Sequence, residues 1–299
     1  FKLILILVVI VMVLGIALYL VFGPVQRKET PVLFIIPQDQ IGFEMVSDLY
    51  QQKLIRNPEA FRFLFLLSSN KLIKSGGYRL NQKMNAWEII EMLIREPDLV
   101  WVKIREGLRK EQIGEVLKED LKWNQEQLSQ WNYLNDGTDY FEGVYFPDTY
   151  LLPKDETIKE ISQRFINRFN EAMAPLFSEF AKKDIKWTTG VKIASLIQRE
   201  AGGSEDMPLI SGIIWNRLEI GMKLEIDATM QYTRGKTAGN WWGAIDLEEK
   251  KVDSFYNSYL YKGLPPTPIC NPGLAAIEAA LNPEETNCLF YLHDRSKQI

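Results

Sequence analysis

Leu3–Phe22 (LILILVVIVMVLGIALYLVF) is an unbroken apolar run, and nothing else in the chain limits its fold as severely. About twenty such residues suffice for a helix to cross the hydrocarbon core of a bilayer. A buried helix of that length in a soluble protein shows a polar face, and this run has none. It also exceeds the apolar region of a cleaved signal peptide, and the flank Phe22-Gly-Pro-Val lacks a small-x-small cleavage pattern. We therefore expect a single-pass anchor with the bulk of the chain on one side of a membrane. Lys2 precedes the run and Arg27 and Lys28 follow it, so charge bias leaves the orientation open. The chain starts at Phe1 rather than Met, and further cytoplasmic residues are expected ahead of it.

Gly23–Ile299 is long enough to bury substantial cores and suits two domains. A formal net charge of −4, with no basic stripe, argues against a nucleic-acid partner. Cys270 and Cys288 are the two cysteines; they can pair in an oxidising compartment, but no Cys/His spacing suggests a metal site. His293 is the single histidine, which gives little support to a Ser–His nucleophile and none to a His-based metal cluster. Gly76-Gly77 and Gly202-Gly203 are isolated pairs rather than a phosphate-binding loop. Chemistry is left to carboxylates, amides, hydroxyls and aromatics, and no cofactor is expected.

Val32–Ile36 reads as a short strand, and Ile41, Met45, Val46, Leu49 and Tyr50 mark an amphipathic helix. Asn57-Pro58 opens a second helix carrying Phe61, Leu64 and Leu67. Gly77–Leu80 reads as the returning strand, and Asn85-Ala-Trp-Glu88 as a capping box for a helix to Ile94. This β-α-α-β order resembles LysM modules, which bind glycan chains; a plain spacer domain has the same pattern. Val100–Ile104 suggests a strand, Glu106-Gly107 a turn and Lys110–Leu121 a helix, followed by a polar Asn- and Gln-rich connector. In Phe141–Tyr150 (FEGVYFPDTY) glycine, proline and aromatics crowd into an irregular loop that offers Glu142, Asp148 and Tyr150 to a ligand. Aromatics beside carboxylates suit sugar rings, and they suit ordinary packing as well.

A long helix is expected over Asp155–Lys182, burying Ile158, Ile161, Phe165, Ile166 and Phe169. Asp206-Met-Pro208 starts another, with Leu209, Ile210, Ile213, Ile214 and Leu218 inward and Gly221 at its cap. Met222–Tyr232 alternates apolar and polar residues like a strand, at least as far as Asp227. Gly263–Gly273 forms a second stiff loop, Asn271-Pro272 caps a helix to Leu281, and Cys288–His293 reads as a final strand. The chain stops soon afterwards, and a C-terminal piece is expected beyond it. The fold class is α+β: a transmembrane helix and linker over 1–30, a small LysM-like βααβ domain over 31–99, and a mixed α/β domain over 100–299.

Within that last domain, Thr188–Gly203 (TTGVKIASLIQREAGG) reads as a helix whose apolar stripe is Ile193, Leu196, Ile197 and Ala201. Glu200 falls seven, four and three positions after Ile193, Leu196 and Ile197 and shares their face, while Lys192, Ser195 and Arg199 lie round the other side. Gly202 and Gly203 end the helix with a left-handed cap available. An apolar face and the helix's negative end both favour the neutral acid, the state a general acid needs near neutral pH. On this segment alone the competing reading, a structural Glu paired with an Arg or capping backbone donors, is the simpler one.

Four segments together resemble the YceG-like (MltG-type) endolytic murein transglycosylases of bacteria: EGVYFPDTY (Glu142–Tyr150), IASLIQREAG (Ile193–Gly202), NRLEIGMKLEIDATMQY (Asn216–Tyr232) and YNSYLYKGLPPTPICNPG (Tyr256–Gly273). Their order and spacing match that family across essentially the whole chain. One departure is Ala228, where the family usually has proline after the aspartate, which loosens a turn there. The resemblance implies cleavage of peptidoglycan glycan strands between N-acetylmuramic acid and N-acetylglucosamine, leaving a 1,6-anhydro end, with Glu200 as the catalytic acid and then base. It also implies a place in the cytoplasmic membrane facing the periplasm or cell wall, and membrane-bound glycan synthases as partners. Asp148, Asp227, Gln231 and Asn257 are candidates for binding sugar hydroxyls or orienting Glu200, with Tyr150 and Tyr256 for stacking. A hydrolase using Asp227 or Glu142 to activate water, and a non-catalytic wall-binding anchor, are the competing readings.

Overall fold

The computed structural model describes residues 2–27, 29–38, 43–68, 72–134 and 142–292. Lys28, Ile41, Phe141 and His293, which entered the expectations above, lie outside the described residues. The chain divides into two compact units, one running through Val102 with Tyr150–Glu156 added, the other formed by Lys103–Thr149 and Thr157–Ile299.

The first unit begins with α1 (Lys2–Phe22), a helix long and apolar enough to cross a membrane. A four-stranded sheet follows in the order β1 (Pro31–Ile36), β2 (Gly76–Asn81), β3 (Leu99–Lys103), β4 (Thr149–Pro153). β1 and β2 pair antiparallel from Pro31 opposite Asn81 to Ile36 opposite Gly76. Three helices lie between the first strands: α2 (Phe43–Gln51), α3 (Pro58–Ser68) and α4 (Ala86–Leu93). Asn85 caps α4 by accepting from the backbone N–H of Trp87 and Glu88, and Glu88 returns a bond to the N–H of Asn85 at 2.7 Å. The core joins Phe34, Leu49, Phe61, Tyr78, Ile89 and Leu93. Tyr50 and Leu67, expected inward, are instead exposed. β3 also joins this sheet, through Gly77 opposite Leu99, rather than the following domain.

The second unit is built from helices around α8 (Trp187–Glu200), which packs against α7 (Ile158–Lys182), α9 (Met207–Glu219), α10 (Asp227–Arg234) and α11 (Leu274–Leu281). Ile193, Ala194, Leu196 and Ile197 are fully buried, and so is Ser195, which the stripe argument had placed on the open side. Helices therefore cover α8 on several faces. Gly190 makes one of these contacts possible, since a Cβ there would run into the Phe180 ring of α7.

Several elements differ from expectation. The Asn/Gln-rich connector holds α6 (Gln125–Asn132), which follows α5 (Lys110–Asp120) and is capped by Asn124 with Gln127 as the reciprocal partner. Its Trp131 is fully buried and donates to the carbonyl of Lys110 at 2.8 Å. Thr149–Pro153 is a strand rather than loop. Residues 222–226 form no strand; Glu225 takes φ 53°, which breaks the alternating run, and a helix starts at Asp227. Ala228 thus sits in a helix's first turn, where proline is also tolerated. The described part of the expected last strand, 288–292, is irregular. α8 ends on Ala201 in extended conformation rather than on a left-handed glycine, and α11 is capped from Gly273 rather than Asn271.

Candidate active site

Glu200 is the last residue of α8, half-buried where the helix emerges from the core of the second unit. The Tyr291 hydroxyl donates to its Oε2 at 2.6 Å. Burial and the neighbouring Glu200 charge raise the pKa of Tyr291, so this phenol keeps its proton and remains a donor. Arg199 does not point into solvent: its guanidinium lies 4.0 Å from the centre of the Trp242 ring.

A second polar cluster stands at the start of α10. Asp227 accepts from the Tyr259 hydroxyl and pairs with Lys250 Nζ at 3.0 Å, and Lys250 in turn donates to Tyr259 at 2.8 Å. Ser258 fixes this geometry, since its hydroxyl accepts from Ile226 N at 2.9 Å and lies 3.0 Å from Thr229 Oγ1. Buried Arg217 ties both clusters to α9. It donates to Leu289 O at 2.5 Å, two residues before Tyr291, and to Leu224 O at 2.6 Å, three residues before Asp227.

The other residues singled out in sequence separate into two groups. Gln231 lies one turn after Asp227 on α10 and is half-buried. Asp148 is part-exposed and held by Arg168 at 2.6 Å, and Tyr256 packs its ring on Tyr232 while its hydroxyl meets Thr267 at 2.7 Å. Tyr150 stands half-buried in β4 and belongs to the first unit.

Glu142 and Asn257 are enclosed and are not presented to a ligand. The Asn257 amide donates to the carbonyls of Lys250 and Val252, at 3.1 and 2.7 Å, and so shapes the loop that carries Tyr259. Glu142, 3% exposed, accepts from Lys110 N at 2.9 Å and from Asn271 Nδ2 at 2.7 Å. The loop faces inward because Asn271, far along the chain, supplies the polar partners that a buried backbone requires. Its Oδ1 accepts from Gly143 N and Tyr145 N, at 3.0 and 2.9 Å, and its Nδ2 donates to Leu108 O at 3.0 Å. Cys270 is buried and Cys288 exposed, and both are free thiols. Among the described residues, no group of three or more His, Cys, Asp or Glu is arranged to hold a metal.

The YceG-like family matches residues 34–299 of this chain. The chain belongs to that family. A Bacillus subtilis (strain 168) relative named endolytic murein transglycosylase is 27% identical over 301 residues, covering 92% of this chain and 82% of that protein. A Streptococcus pneumoniae protein of the same name is 26% identical over 297 residues; the match covers 87% of this chain and 53% of that protein, so this chain spans about half its length. A solved structure described as a YceG-like protein from Listeria monocytogenes shares 25% identity and a TM-score of 0.57, over 90% of this chain and 94% of that one.

In this family member, sequence reasoning missed Tyr291, Tyr259, Lys250 and Arg217. Tyr259 lies inside a segment that carried the resemblance, yet nothing local pairs it with Asp227. Tyr291 meets Glu200 across 91 positions, a contact that no local pattern encodes.

Glu142 gives a pH signature. Burial, reinforced by the Glu111 charge, outweighs the Lys110, Arg109 and Asn271 contacts and pushes its pKa up to about 8. A carboxyl raised in the folded state contributes stability that is complete below its unfolded pKa and lost as pH rises through the folded one. We expect the wild-type stability advantage over Glu142→Gln to shrink by a few kcal/mol, as an order of magnitude, between about pH 4.5 and 8. Denaturant unfolding of both proteins in detergent at pH 5, 7 and 8.5 measures it. Parallel curves would show that Glu142 does not titrate in that window.

Proposed function

We infer that this protein is an endolytic murein transglycosylase that cuts peptidoglycan glycan strands between N-acetylmuramic acid and N-acetylglucosamine. The observation that carries this reading is Glu200 itself: a part-exposed carboxyl at the end of a core helix of a YceG-like chain, with the Tyr291 hydroxyl donating to it. Protonated Glu200 donates to the glycosidic oxygen as the bond to the muramic C1 breaks through an oxocarbenium-like state. The resulting carboxylate takes the proton of the muramic C6 hydroxyl, whose oxygen closes on C1 to give the 1,6-anhydro end. The sugar is its own nucleophile. Asp227, with Lys250 and Tyr259 around it, offers both charged and neutral partners to sugar hydroxyls and amides; Gln231, Asp148 and Tyr256 are proposed as further contacts.

A hydrolase needs a second carboxylate poised to activate water. Glu142 is enclosed and does not suit that role, which leaves Asp227, paired with Lys250 and Tyr259, as the carboxylate such an enzyme would have to use. Mass analysis of the products decides the matter. Transglycosylation gives anhydro-muramic ends lacking one water relative to hydrolysis, and reducing ends alone would overturn this reading.

The setting follows from α1, proposed as a single-pass anchor in the cytoplasmic membrane with both units on the cell-wall side. The β-α-α-β part of the first unit is proposed as a LysM-like module that steadies glycan near the catalytic unit. Membrane-bound glycan synthases are the proposed source of nascent strands.

A further inference from the structure

α3 has two faces. Phe61 is buried beneath it, and Leu64 and Phe65 pack on the core of the first unit. Its outer face carries Phe63, Leu66 and Leu67, exposed by 62%, 77% and 69%. Three large apolar side chains on one helical stripe form a patch that a soluble surface seldom presents. Leu72, shortly after the helix, is 86% exposed as well.

The patch has a neighbour that indicates its occupant. α3 packs against α1 within the same unit, and Phe22 at the end of α1 packs on the core that α3 covers. Arg56, two residues before α3, donates Nε and Nη2 to Pro24 O at 3.0 and 2.7 Å, and its guanidinium lies 5.6 Å from the Tyr19 ring centre. A bilayer that accepts α1 places Tyr19–Pro24 at headgroup level, where tyrosine and arginine are favoured. α3 therefore starts at that level.

We propose that α3 is an interfacial helix whose Phe63, Leu66 and Leu67 seat in the lipid surface beside α1, giving the first unit a second membrane contact. Such helices bury their apolar face about 5–10 Å into the headgroup boundary. Two contacts fix tilt and rotation where a lone helix with a flexible linker fixes neither. The proposal rests on the anchor reading of α1.

The test uses the full chain carrying Cys288→Ser, which removes the exposed thiol and leaves the buried Cys270. Leu66→Cys is labelled with an environment-sensitive fluorophore, and the protein is reconstituted into phosphatidylcholine–phosphatidylglycerol vesicles with spin-labelled lipid. Glu91→Cys, exposed on α4, is the control. The Leu66 label should emit at shorter wavelength and be quenched, the Glu91 label should stay in water, and adding Phe63→Ser with Leu67→Ser should abolish the quenching. Protein that floats with vesicles while both labels stay in water would overturn the interfacial helix and leave the anchor standing. Protein that does not float would overturn both. Quenching lost on dilution to one chain per vesicle would assign the patch to a second copy instead.

Discussion

Glu200→Gln should lower glycan-strand cleavage by at least about a hundredfold, the low end for a general acid–base group, without unfolding the protein. Glutamine keeps the volume of the side chain and an oxygen to accept the Tyr291 hydroxyl, so the 2.6 Å contact and the end of α8 survive. It cannot release a proton to the glycosidic oxygen, nor later take one from the C6 hydroxyl. Both halves of the cycle fail together, so the loss should appear in kcat while strand binding persists. The measurement is initial rates on purified strands, with binding followed by co-sedimentation and stability by denaturant unfolding. Cleavage near the wild-type rate would place the acid elsewhere.

Glu200 was visible in sequence for a reason that was only partly physical. The helix and its apolar residues were legible because the spacing is local, but the stripe argument needed an open face where Ser195 is in fact buried. The resemblance singled out the residue more sharply than periodicity did. Elsewhere, legibility followed the range of the interaction. The Asn85 capping box was readable because all its bonds lie within four residues. The same signal at Asn124 and Gln127 was overlooked, as polar composition suggested a connector. Met222–Asp227 misled through short alternation, which specifies extended backbone but not a pairing partner, and Glu225 at positive φ interrupts it. Glu142 misled for the opposite reason: its local loop looks open, and what covers it lies 129 positions away.

That distant cover is the basis of the other large expected effect. Asn271→Ala removes one side chain and leaves Gly143 N and Tyr145 N without an acceptor and Glu142 without its amide donor. Each buried polar group left unmade costs about 1–3 kcal/mol, and these groups are neighbours whose costs do not simply add. We expect destabilisation of about 3–5 kcal/mol, at the diagnostic end for a single substitution. The backbone of Asn271 still bonds Leu108 O and accepts from Gly107 N, both at 2.9 Å, so its own loop should hold while Glu142–Phe146 loosens. Asn271→Asp separates the causes. It restores an acceptor for Gly143 and Tyr145 but sets a second carboxyl beside Glu142, so stability should recover at acid pH, where both groups are protonated, and fail as pH rises. Urea unfolding of the two variants across pH reads this directly. An alanine variant as stable as wild type would show that the Asn271 amide carries no net weight in holding the loop against α5.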